Sequence, residues 1–115
     1  MTIDQFVMVY ATCFKDHNEK KYMLNPLNKF KIGSIISTIK NYEPIGGEYR
    51  LREHNNNVYI TFLNDSASEY LVAPTDEGLK LQSTNNVMYL EFDPEEQEKC
   101  IIRQSKGLGD YFWSN

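Results

Sequence analysis

The sequence predicts an α+β domain, with one or two N-terminal helices packed on a five- or six-stranded antiparallel meander sheet. Three observations carry this expectation. Apolar residues recur at the helical period through the first third of the chain, the period switches to two from Glu48, and turn residues then arrive about every ten positions. With 115 residues, 41% of them hydrophobic, the chain has the size of a single domain. That domain, 1–115, divides into a mainly helical part, 1–45, and a mainly β part, 46–115.

The first helix is expected near 3–20, where Ile3, Phe6, Val7, Tyr10, Ala11 and Phe14 share one face. Thr2 and Gln5 have the spacing of a capping box, and the branched Val7, Val9 and Thr12 oppose a helix only through a small propensity cost. Asn25-Pro26 has the form of a second helix start, with Leu27, Phe30, Ile35, Ile36 and Ile39 following on one face. Gly33 and the β-branched run around it make a strand the competing reading for 26–42.

Beyond Glu48, Tyr49 and Leu51 alternate before a turn at His54-Asn55-Asn56-Asn57. Val58, Ile60 and Phe62 alternate before Asn64-Asp65-Ser66, and a strand from Tyr70 to Ala73 ends at Pro74. Leu79 and Leu81 lead into an Asn85-Asn86 turn, Met88, Leu90 and Phe92 alternate, and Lys99 to Gln104 forms the last strand. Asp93-Pro94-Glu95-Glu96 has the form of one capped helical turn.

Several function classes lose their support at this level. No apolar run approaches the ~18 residues of a membrane span, and the first residues lack the basic region and cleavage site of a signal peptide. A cytoplasmic protein without membrane association is therefore expected. In that compartment Cys13 and Cys100, which form no CxxC pair, are expected to be reduced thiols. Cys13 and His17 lie four apart on the expected first helix, but two ligands do not close a zinc site. No GxSxG elbow is present, and Lys106-Gly107-Leu108-Gly109-Asp110 is not followed by enough chain for a phosphate-holding helix. The expectation is a protein with no catalytic residues, no metal and no cofactor, and not an enzyme. Its richness in Asn, Lys, Ile and Tyr, all with A/T-rich codons, suggests an AT-rich bacterial or phage gene.

Charge is the strongest functional signal. Residues 65–98 hold nine acids (Asp65, Glu69, Asp76, Glu77, Glu91, Asp93, Glu95, Glu96 and Glu98) against Lys80, whereas residues 15–52 hold eight bases against four acids. An acidic surface steers a basic partner and repels nucleic acid, so a small protein-binding module is expected, of inhibitor, adaptor or immunity type. Its partner would present a basic surface, for example that of a nucleic-acid enzyme. Trp113, within the consecutive rings Tyr111-Phe112-Trp113, is a candidate contact anchor. The alternative is a nucleic-acid or nucleotide-binding domain using the basic 15–52 segment, which the net charge of −4 opposes.

Overall fold

The structure is a computed structural model that describes residues 1–28, 32–38, 45–63 and 68–94. Its architecture corrects the expected one. Among the described residues the strands close into an eight-stranded antiparallel barrel in sequence order, with one short helix where a helical layer was expected.

Helix α1 spans Ile3–Tyr10, and its start is as expected: the Gln5 amide donates to Thr2 Oγ1 at 3.1 Å, and the Thr2 amide donates to Gln5 Oε1 at 2.8 Å. Its end is not. The chain leaves the helix at Ala11 and enters β1, Cys13–Lys15, then returns in β2, Lys21–Leu24. The aromatic row that predicted helix as far as Phe14 survives the reversal through a distant ring. Phe6 lies 5.5 Å from Tyr10, Tyr10 stacks on Phe92 at 5.9 Å, and Phe92 stacks on Phe14 at 5.3 Å. Eight helical residues are marginal alone, so burial of Phe6 at 0% exposure against the barrel is what holds α1.

The expected second helix is also a strand. β3 spans Ile32–Thr38, where β-branched residues favour a pleated backbone. Asn25 caps no helix but ties β2 to β3, its amide donating to the Ser34 carbonyl at 3.0 Å and its Nδ2 to Ser34 Oγ at 2.6 Å. β4, Ile45–His54, and β5, Asn57–Phe62, then turn at Asn55-Asn56, both with positive φ as a tight type I′ hairpin requires. β6, Glu69–Thr75, runs through Pro74, which lies beyond the stretch of β6 paired to β5 and so withholds no ladder donor there. β7, Gly78–Gln82, and β8, Val87–Phe92, follow. The expected strand at 99–104 and the helical turn beyond Pro94 lie outside the described residues.

Closure comes from β8 pairing antiparallel with β1, Phe14 opposite Phe92 and Lys15 opposite Glu91. Alternation along every strand then sends Phe14, Leu24, Tyr49, Leu51, Val58, Ile60, Val72, Leu79, Leu81 and Leu90 into one interior cluster. Tyr49 crosses this interior and donates its hydroxyl to the Asn25 carbonyl. The ring fits because Gly33 stands opposite it, where a Cβ would meet Tyr49 Cε1 at 2.3 Å. Gly78 performs the same service for backbone, since a Cβ there would meet the Leu90 carbonyl oxygen at 2.1 Å.

Cys13 and Met23 pair across β1–β2 and point away from that cluster, yet they are 2% and 1% exposed. Cys13 is disulfide-bonded, which corrects the expectation of a reduced thiol there. Cys100 lies outside the described residues.

Two predictions follow from the packing. Gly33→Ala is expected to lower stability by about 1–3 kcal/mol in chemical denaturation, because the buried, hydrogen-bonded Tyr49 ring cannot yield. Gly46→Ala, where a Cβ meets nothing within 4 Å, is expected to be nearly silent. Replacement of the bonded Cys13 by Ser is expected to cost about 2–5 kcal/mol, and wild-type protein denatured without reductant is expected to show no reactive Cys13 thiol in peptide mapping.

Candidate functional site: the open end of the barrel

The two ends of the barrel differ. One end carries the β4–β5 turn and α1, with the Ile3 amide donating to Glu53 Oε1 at 2.9 Å and Phe6 filling the interior. At the other end the interior side chains leave a cavity of about 290 Å³. Buried Tyr70 and Leu90 and half-buried Tyr22, Ile35, Phe62 and Met88 give it apolar walls, with Lys20 and Ser37 as polar lining. Gly46 and Gly47 complete the β4 side.

Strand geometry explains this set. Tyr22 and Ser37 are register partners on β2 and β3, Ile35 faces Gly47, and Met88 faces Leu81. Phe62 packs edge-on against Tyr70 with centroids 5.8 Å apart. Small residues opposite large ones keep the mouth unfilled, whereas the α1 end is closed by rings.

The β1–β2 turn builds the polar side of the mouth. Asp16 Oδ1 accepts from the Asn18 amide at 2.9 Å and the Lys20 amide at 3.0 Å, while Oδ2 accepts from the Tyr22 hydroxyl at 3.2 Å. Glu19 takes the left-handed conformation that lets the turn close. The Lys20 ammonium lies 5.3 Å from the centroid of the Tyr22 ring. Burial, with the Asp16 charge and hydrogen bond adding to it, pushes the Tyr22 hydroxyl well above its ordinary pKa, and burial does the same for Tyr49.

The expected acidic residues are placed apart. Glu69 opens β6 and is gripped by the Arg52 fork, Nη2 to Oε1 at 2.7 Å and Nε to Oε2 at 2.9 Å, with Arg52 also stacked on Tyr59 at 4.4 Å. That hydrogen bonding, with the Arg52 charge, lowers the Glu69 pKa against the opposing effect of burial. Asp76 and Glu77 form the exposed β6–β7 turn at the α1 end, and Glu91 lies in the closing seam opposite Lys15. Asp93 is buried, 3.6 Å from Lys21 Nζ. Asp65, Glu95, Glu96, Glu98 and Trp113 lie outside the described residues.

Among the described residues no group of three or more His, Cys, Asp or Glu is placed to hold a metal ion. Cys13 and His17, expected on one helix face, sit on a strand and in a turn, and the His17 ring packs 6.1 Å from Tyr89. Among the described residues no helix is long and apolar enough to cross a membrane. No family profile, curated protein or solved structure matches this chain. Ile35, Phe62, Tyr70, Met88 and Leu90 entered the sequence reading only as parts of apolar patterns; their convergence with Lys20 and Tyr22 depends on closure, which no local pattern announces.

Tyr22 and Tyr49 fix the sign of an alkaline effect. Above the ordinary tyrosine value of 10.0 the unfolded chain sheds protons that the folded chain retains, so unfolding gains free energy as pH rises. Stability is expected to hold up to about pH 10 and fall beyond it. Tyr22→Phe is expected to shallow that fall in denaturation midpoints measured across the range.

Proposed function

We propose that the protein binds a small, mostly apolar molecule in the open end of its barrel. One observation carries this reading: a cavity of about 290 Å³ with aromatic and aliphatic walls and a few polar groups, set in a barrel whose opposite end is plugged. Eight-stranded barrels have interiors just wide enough for packed side chains or one small ligand, and here the packing stops short at one end. At about 30 Å³ per water-sized group, the cavity takes on the order of ten non-hydrogen atoms.

The reading as a protein-binding module keeps a narrower basis. It is favoured by the exposed Asp76-Glu77 turn, since Glu69 is already paired and Asp93 buried. Contact with a basic partner would then weaken as salt rises. The cavity supports binding more directly because it is concave and mostly apolar.

Octanol, a neutral molecule of matching size, is the probe. Titration is expected to shift the amide resonances of Ile35, Phe62, Tyr70 and Met88 and to leave those of Val58 and Leu79 at the plugged end in place. Ser37→Trp, which puts a large ring into the cavity from a half-buried position, is expected to abolish these shifts with little change in melting temperature. Octanol shifts spread evenly over the barrel, or unchanged by Ser37→Trp, would count against the site.

A further inference from the structure

The geometry points to a small amphipathic monocarboxylate as the class of ligand, its apolar body in the cavity and its carboxylate on Lys20. This rests on the cavity being a binding site and adds the chemistry of its occupant. Lys20 lines the cavity, and among the described residues its ammonium has no carboxylate partner, only the Tyr22 ring face at 5.3 Å. In the same turn, Asp16 is committed to two amides and the Tyr22 hydroxyl.

A second, independent donor lines the same space. Tyr70 is 9% exposed, and its hydroxyl has no hydrogen-bond acceptor among the described residues. Buried polar groups are nearly always paired, so the hydroxyl of a buried tyrosine that lines the cavity is suited to donate to an acceptor on the ligand. An ammonium and a phenol both donate, and a carboxylate has the lone pairs to accept from both. One cation matches one negative charge. The surrounding walls, Tyr22, Ile35, Phe62, Met88 and Leu90, offer nothing to a second charge, which selects a monoanion with an apolar remainder over a sugar phosphate or a dianion.

Lys20 is placed for this role by its turn. Its amide is held by Asp16, its side chain lies along the Tyr22 ring, and Glu19 in the left-handed region fixes the direction in which the chain enters β2. The partly enclosed wall makes a charge-assisted contact stronger than it would be in open water.

Calorimetric titration of the full chain with octanoate and with octanol at neutral pH separates the claims. Octanoate is expected to bind about tenfold more tightly than octanol. Lys20→Met is expected to remove that preference, Lys20→Arg to keep it, and Tyr70→Phe to weaken octanoate severalfold. Equal binding of the two probes by the wild type, or a preference that survives Lys20→Met, overturns the carboxylate assignment and leaves the cavity reading standing. Binding of neither probe overturns both.

Discussion

Everything in this fold depends on one long-range pairing, β8 onto β1. The first seven strand contacts in the sheet are hairpins between sequence neighbours, which cost little loop entropy, whereas the seam joins residues 14–15 to residues 91–92. The short seam is reinforced by side chains, since Phe14 stacks on Phe92 and Tyr10 stacks on Phe92 as well. A three-ring contact made where the first and last described strands meet converts an open meander, with two exposed edges, into a barrel with none.

Closure forces an economy of volume. An eight-stranded barrel must fill its axis or leave a hole, and this chain does both. Phe6 from α1 occupies the axis at one end, and Tyr49 spans the middle because Gly33 yields the room for its ring. Towards the other end the inward positions pass to Gly47, Ser37 and Ile35, and among the described residues no helix covers them. The cavity is therefore the complement of the plug: aromatic volume spent at the α1 end is missing at the mouth.

The charged residues follow the same inside–outside logic. Arg50, Arg52, Glu48 and Glu69 fall on the outward positions of β4 and β6, opposite in direction to the apolar interior cluster. Arg52 and Glu69 neutralise each other across β5 over the Tyr59 ring. Charge totals along the sequence counted these side chains as an available surface, but pairing and burial, as for Asp93 beside Lys21, removed several of them from it.

The sequence by itself determined the strands from Tyr49 to Phe92, because period-two alternation and paired asparagine turns are local signals that report local geometry. It also determined the start of α1, where Thr2 and Gln5 satisfy each other within one turn. It misread the stretch from Cys13 on as helix, since Phe14 satisfies a helical spacing by coincidence, and it left 26–42 between helix and strand, where β-branched content and the Asn25 and Asn28 side chains serve hairpins. Only the tertiary structure decided that the meander closes, and with it that Lys20, Ser37, Tyr70 and Met88 share one cavity. The physical reason is distance along the chain: a seam between strands nearly eighty residues apart is selected by the fit of the whole interior, and no window of sequence contains that fit.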